Sequence, residues 1–170
     1  KDGSKIDWAI VSFGGGDDAR ANVRVKDISA DITHSIIQES KFYGIFLERA
    51  SGSVIGNTIQ HNTHQQNIES TGLYAFDGNL IIRGNTFSDN IVGAEFVSGG
   101  NAHSFQVENN HFTNNKQEAM GVSTTYPVFS GNTATGNGVN GIILHGNMTE
   151  DYSLMPDLPY VVQSVQAYTV

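Results

Sequence analysis

The stretch NNHFTNN (residues 109–115) places one phenylalanine between two asparagine pairs. Asparagine side chains compete with their own backbone for hydrogen bonds, so a single copy would indicate only a turn. The same figure recurs along the chain as GNTIQHN (56–62), GNTFSDN (84–90), GNTATGN (131–137) and, more faintly, HSIIQES (34–40). A figure that recurs at a regular distance describes the architecture of a whole chain rather than one bend.

The repeat has the period of a solenoid, and its length varies because some turns are longer than others. Its equivalent polar positions lie 22, 28, 25 and 22 residues apart at Ser35, Asn57, Asn85, Asn110 and Asn132. Three positions before each of them stands an apolar column of Ile32, Val54, Ile82, Val107 and Phe129. Two positions after stands a second, of Ile37, Ile59, Phe87, Phe112 and Ala134. Five positions after stands a further polar column of Ser40, Asn62, Asn90, Asn115 and Asn137.

Within each copy, apolar and polar residues alternate with period two, which indicates short β-strands rather than helices. A further apolar strand follows some copies, as in GIFL (44–47), GAEF (93–96) and GIIL (141–144), and another precedes them, as in NLII (79–82). Three short strands per repeat predict an all-β solenoid, a right-handed single-stranded parallel β-helix. We expect about six coils of 22–28 residues in residues 1–146. Residues 147–170 are expected to form a connecting loop and a strand that opens a further coil or makes an assembly contact.

This architecture explains the opening stretch. Phe112 is expected to point into the bore and to stack on equivalent residues of neighbouring coils. The asparagines are expected to occupy the bends, where an amide tolerates left-handed backbone angles and bonds to main chain that has left the ladder. Stacked on identical partners, they would form amide ladders.

The motifs GNTIQHN, GNTFSDN and NNHFTNN resemble the repeats of the right-handed parallel β-helix superfamily, and the likeness covers about residues 5–144. That superfamily includes pectate lyases, alginate lyases, mannuronan epimerases, NosD-like periplasmic proteins and many surface proteins. The resemblance implies the fold, but not one function, because the repeats are scaffold. It also implies that an enzyme of this group would work in a groove along one outer face.

The catalytic signatures of these relatives are missing from the chain. The lyases of this superfamily bind calcium with clusters of acidic residues and use an arginine or lysine as base. The epimerases carry a Tyr-Asp-Pro-His motif. No Asp-Pro-His occurs here, and the nearest pairing is Pro156-Asp157 close to the C-terminus. No catalytic residue is therefore carried over.

Composition narrows the class of partner. The chain of 170 residues has a net charge of −8 and no basic run, so nucleic-acid binding is not expected. It has no cysteine and no apolar run of transmembrane length. A secreted or cell-surface location fits these features best, with no membrane span.

One outward column predicts a metal site. Glu39, His61 and Asp89 lie four positions after the reference residue of successive repeats, so they would stack on consecutive coils. Two carboxylates around an imidazole could bind a cation such as calcium, or act as acid and base. The alternative is an exposed, charge-compensated ladder without ligand, and otherwise no cofactor is expected.

The longest repeat carries the insertion THQQNIESTGLYAF (63–76), and loops on a rigid solenoid often carry function. His64, Glu69 and Tyr74 are candidates for a glycan-binding groove, because aromatic rings stack on sugar rings. Alternatively, Tyr74 and Phe76 simply alternate around the bore.

Two functions remain open. The first is a non-catalytic extracellular module of a surface, adhesive or self-assembling protein, whose partner is carbohydrate or another copy. Copies would meet head-to-tail through uncapped ends that carry Val161, Val162 and Val165 at one end and Trp8, Ile10 and Phe13 at the other. The second is a polysaccharide lyase, epimerase or hydrolase that acts on acidic glycans.

Overall fold

A computed structural model describes residues 3–16, 20–63, 70–100, 103–125, 127–148 and 154–167. These ranges contain β-strands and turns, and no helix capable of spanning a membrane lies within them. The strands are β1 Ser4–Asp7, β2 Ile10–Ser12, β3 Ala21–Lys26, β4 Ser29–Thr33, β5 Ile36–Gln38, β6 Tyr43–Ile55, β7 Thr58–Gln60, β8 Thr71–Arg83, β9 Thr86–Ser88, β10 Val92–Val97, β11 His103–Glu108, β12 His111–Thr113, β13 Glu118–Ser123, β14 Val128–Ser130, β15 Thr133–Thr135, β16 Val139–Met148 and β17 Tyr160–Ala167.

The strands stack into three parallel faces around a bore. The first face comprises β3, β10, β13, β16 and the first halves of β6 and β8, and β17 pairs with β16. The second face comprises β1, β4, β11, β14 and the second halves of β6 and β8. The third face comprises β2, β5, β7, β9, β12 and β15. The prediction of an all-β parallel solenoid is confirmed.

The number of coils differs slightly from the expected six. The six strands of the third face enclose about five turns. The boundary at residues 146 and 147 stays a prediction.

Both predicted apolar columns line the bore. The column from Ile32 to Phe129 is at most 3% exposed throughout. In the second column the rings of Phe87 and Phe112 are stacked, with centroids 4.8 Å apart and planes 5° apart. Each coil adds apolar side chains to these columns, which removes apolar surface from water through contacts with the neighbouring coils alone.

The asparagine columns form the predicted buried ladders. The backbone N–H and side-chain Nδ2 of Asn57 both donate to Oδ1 of Asn85, at 2.9 and 3.0 Å. The same Nδ2 donates at 2.8 Å to the carbonyl of Ile32 on the preceding coil. Each amide therefore ties three coils together and satisfies main chain that has left the strand ladder.

The left-handed backbone conformation expected of the asparagines occurs at Asn109 and Asn114, but not at the buried asparagines of the ladders. The residue before each ladder position takes it instead, as at His34 (φ 48°), Gly56 (φ 66°) and Asn109 (φ 53°). The left-handed residue forms the corner with its side chain on the outside, and the side chain of the next residue points inward to the ladder. In each asparagine pair, the first residue turns the chain and the second bonds.

A column of glycines adjoins one asparagine ladder. A β-carbon on Gly44 would lie 2.7 Å from Nδ2 of Asn62, and one on Gly72 would lie 3.0 Å from Nδ2 of Asn90. The glycines at the start of GIFL (44–47) and GLYA (72–75) therefore leave room for the side-chain amides of the ladder.

At the N-terminal end, Trp8, Ile10 and Phe13 are 79%, 70% and 80% exposed. Ile10 lies in β2, the edge strand of the third face, and its partner Ile36 on the next coil is only 37% exposed. Trp8 and Phe13 are left-handed corner residues, and Ile10 pairs with the outward Ile36, so all three lie on the lateral surface.

Candidate functional site

The predicted metal column stacks as expected, at the left-handed corner that follows the third face. Strand pairing places Glu39, His61 and Asp89 on consecutive coils, all exposed. His61 Nε2 lies 3.9 Å from Asp89 Oδ2. Within the described ranges, no group of three or more acidic or histidine side chains is close enough to hold a metal ion. The site rests on the stacking alone and stays a prediction.

Of the three predicted glycan-binding residues, His64 and Glu69 lie outside the described residues. Tyr74 lies on the outer side of β8, whereas its neighbours Leu73 and Ala75 fill the bore. The alternative that Tyr74 alternates around the bore is therefore wrong.

Tyr74 lines a groove of about 410 Å³ on the outer surface of the first face, here called the first-face groove. The groove is lined by Tyr43, Thr71, Tyr74, Val92, Glu95, Gln117 and Glu118. Its walls come from equivalent positions on successive coils, because Phe46, Tyr74 and Glu95 pair in one register. One continuous stripe thus changes from aromatic to acidic along the solenoid axis.

Three rings form the aromatic end of this stripe. The Tyr43 and Tyr74 centroids are 5.0 Å apart, and Phe46 meets Tyr74 edge-on at 5.5 Å. The guanidinium of Arg24 lies 5.3 Å from the Phe46 centroid and also bonds Glu48 at 3.1 Å. These contacts hold the buried Tyr43 ring and the partly exposed Phe46 and Tyr74 rings in fixed orientations beside the groove.

Two carboxylates and an imidazole surround Gly121 at the acidic end. His145 Nε2 lies 3.7 Å from Glu95 Oε1. A β-carbon on Gly121 would be 3.3 Å from His145 Nε2, 3.5 Å from Glu95 Cγ and 3.8 Å from Glu118 Oε1. A side chain at position 121 would therefore crowd the His145 ring, and the glycine lets these three groups lie close together.

Burial raises the pKa of Glu118 above its ordinary value. A hydrogen bond that the Glu118 carboxylate accepts from its own backbone N–H, and the electrostatic interaction with His145, act in the opposite direction and lower this pKa. A half-buried carboxylate of this kind gains from any further cation or hydrogen-bond donor that enters the groove.

The chemistry available in this groove is recognition of a polar molecule with apolar faces. Rings supply flat apolar contact, and the carboxylates accept hydrogen bonds. Our interpretation of the sequence missed Glu95, Glu118 and His145. Alignment of the glycines in GIFL, GLYA and GAEF would have placed Glu95 in the column of Tyr74.

A second groove of about 490 Å³ lies on the outer surface of the second face. Neutral residues form most of its lining, including Ile55, Asn79 and Gln106. Its carboxylate, Asp31, accepts a 2.6 Å hydrogen bond from Ser53. It has no aromatic ring among its lining residues, so it offers less for recognition than the first-face groove.

Comparison with known proteins bears on the fold alone. No curated protein and no solved structure matches the chain significantly. A family model described as right handed beta helix region matches residues 9–153, which is most of the chain. The chain therefore belongs to the right-handed β-helix family.

Proposed function

We propose that this chain is a non-catalytic, glycan-binding β-helix module of a secreted or cell-surface protein. The observation that carries the proposal is the cluster of three rings, Tyr43, Phe46 and Tyr74, beside a groove that continues to Glu95 and Glu118. Stacked sugar units would follow the solenoid axis, with one face on the rings and the hydroxyls bonded to the carboxylates.

The rigid scaffold supports this function. Every lining residue of the groove except Gln117 lies in a strand that is paired on both sides, so little ordering is needed when a ligand binds. An adhesive or assembly role fits the same module, because a surface-displayed glycan would then be the partner. Contacts between copies, head-to-tail along the solenoid axis, are proposed as a further way to build such a surface.

Affinity electrophoresis tests the glycan proposal. Native gels would contain a soluble neutral glucan, a xylan or polygalacturonate, and mobility would be compared with that in a gel without polymer. We expect at least one polymer to retard the chain. Tyr74→Ala should weaken the affinity read from that retardation about fivefold, since one ring stack contributes about 1 kcal/mol.

Val128→Ala is the matched control, because Val128 is 47% exposed on the second face, away from the groove. It should bind like the unmodified chain. Equal loss in both variants, or no retardation by any polymer, would count against glycan binding in the first-face groove.

A second candidate function is cleavage of a glycan. The half-buried Glu118 with its raised pKa, beside Glu95 and His145, resembles the pairing of an acid and a base in one cleft. The groove lining contains no arginine or lysine, the bases on which the lyases of this fold rely. Release of new reducing ends from a bound polymer, abolished by Glu118→Gln, would favour this function, and binding without release would favour the first.

A further inference from the structure

The segment before β17 closes one corner at the C-terminal end of the solenoid. The carboxylate of Asp157 accepts two hydrogen bonds from Asn132, one from the backbone N–H at 3.0 Å and one from Nδ2 at 2.7 Å. The next side chain, Leu158, packs against the core. The Pro159 carbonyl then accepts a 2.8 Å hydrogen bond from a backbone N–H of β16. Residues 154–159, here called the end strap, are thus fastened at three successive positions.

Asp157 takes the place of an asparagine in the ladder that contains Asn110, but it ends that ladder. A ladder asparagine accepts two N–H groups from the preceding rung and donates its own Nδ2 to the following one, as Asn110 does between Asn85 and Asn132. The Asp157 carboxylate accepts the same two groups from Asn132, but it has no N–H to donate. A further coil would therefore receive no ladder hydrogen bond from it.

The corner under the end strap is a place where a second copy would fit. Within the described ranges, β14 of the second face pairs only with β11, and β15 of the third face pairs only with β12. At the opposite end, β1 and β2 are the first strands of the same two faces. A copy shifted along the solenoid axis would bring β1 over β14 and β2 over β15, and unpaired strand edges recruit such strands.

We propose that the end strap is an autoinhibitory latch on the head-to-tail contact, so that a second copy adds β1 and β2 only when Asp157 leaves Asn132. This inference rests on the contact between copies proposed above. Ala9 lies between β1 and β2 as Asn132 lies between β14 and β15, so the corner of an incoming copy competes with Asp157 for one position. With the latch closed, the edge of β17, where Val162 is 64% exposed, is the part of this end left open to a copy.

The incoming copy does not replace the hydrogen bonds that Asp157 gives up. Ala9 holds the ladder position of the first coil, because its backbone N–H bonds to Oγ of Ser35 at 3.0 Å, as a ladder residue does. Alanine offers no side-chain acceptor to a neighbouring copy. The two N–H groups of Asn132, which is only 6% exposed, would then lose their acceptors, and such a loss is unfavourable. The latch therefore weakens association of the unmodified chain.

Two substitutions at position 157 separate the latch from its charge. Asp157→Ala removes both acceptors, whereas Asp157→Asn removes the same charge and keeps an Oδ1 that can accept both N–H groups, as elsewhere in the ladder. Light scattering across a concentration series measures the concentration at which the particle mass rises. We expect Asp157→Ala to lower that concentration about fivefold, the ratio that corresponds to one lost hydrogen bond. Asp157→Asn should behave like the unmodified chain.

A substitution at the other end tests where the stronger contact forms. Val11 packs against the core in β2, the edge strand of the third face. Val11→Lys puts a charge into the proposed junction, so its combination with Asp157→Ala should return the mass rise to the concentration of the unmodified chain. Circular dichroism of each variant reports whether the coils remain folded.

The results distinguish the latch from the contact itself. An equal shift in Asp157→Ala and Asp157→Asn assigns the effect to charge and overturns the latch. No shift in Asp157→Ala, although the unmodified chain associates, also overturns it, as does undiminished association after Val11→Lys. Strictly monomeric particles in every variant refute the head-to-tail contact together with the latch and leave glycan binding intact.

Amide hydrogen exchange of the unmodified chain tests the latch even if Asp157→Ala does not fold. The backbone N–H of Asn132 should exchange slowly, because Asp157 accepts it in the closed state. Exchange of this N–H as fast as that of an exposed amide would overturn the inference.

Discussion

Replacement of Asn110 by alanine should severely destabilise the solenoid. Its Oδ1 accepts from the backbone N–H and from Nδ2 of Asn85, both at 3.0 Å. Its Nδ2 donates to the Ile82 carbonyl at 2.9 Å and to Oδ1 of Asn132 at 3.0 Å. Asn110 is only 1% exposed, so water does not replace these bonds without opening the coil.

The four lost bonds set the size of the effect. Each contributes about 1 kcal/mol net, and the orphaned backbone N–H of Asn85 adds a desolvation penalty of about 1–3 kcal/mol. We therefore expect the free energy of unfolding to fall by about 5–7 kcal/mol, a large part of the roughly 5–15 kcal/mol typical of a domain.

Urea unfolding followed by far-ultraviolet circular dichroism measures this change. The control is Asn79→Ala, since Asn79 is an exposed asparagine in β8 and its loss should cost about 0.5 kcal/mol or less. The reasoning is refuted if Asn110→Ala loses no more stability than the control, because the ladder amides would then be interchangeable with surface amides.

Phe112→Asp should unfold the middle coils, because Phe112 is fully buried and an unpaired charge there costs several kcal/mol; an unchanged melting temperature would reject the register. Millimolar calcium or zinc should raise the melting temperature if Glu39, His61 and Asp89 hold a cation, and Glu39→Ala with His61→Ala should remove that shift. No shift, or the same shift in the double variant, would eliminate the metal site. In light scattering across a concentration series, particle mass should rise with concentration, and Val162→Lys should reduce that rise without unfolding the coils, since Val162 is 64% exposed. A strictly monomeric particle at high concentration would contradict the head-to-tail contact.

The scaffold was predictable because every coil repeats the same physical demand. Positions such as Val54 and Asn57 recur with the same apolar or amide character, so a simple alignment locates the bore and the ladders. The left-handed corners were expected at the asparagines in general, and they lie at the residue before each ladder amide. In an asparagine pair, the sequence does not show which residue takes the left-handed conformation. In the structure Asn109 takes it, and Asn110 forms the ladder hydrogen bonds.

The candidate site was mostly beyond reach of the repeat pattern. The groove residues occupy the first face, where equivalent positions hold different chemistry, as in Phe46, Tyr74, Glu95 and Gly121. Their register also depends on the variable length between the third face and the next coil. The ladders can be found because the same residue type recurs on every coil. The groove residues do not recur in this way, so the repeat pattern does not reveal them.

The most direct test of the account is to map where a glycan binds. Backbone amide chemical shifts would be followed by nuclear magnetic resonance during titration with the polymer fragment that binds best. The account predicts that the perturbed amides cluster in the first halves of β6 and β8 and in β10 and β13, around Tyr74 and Glu95. Perturbations confined to the second or third face, or shifts that do not saturate, would contradict it.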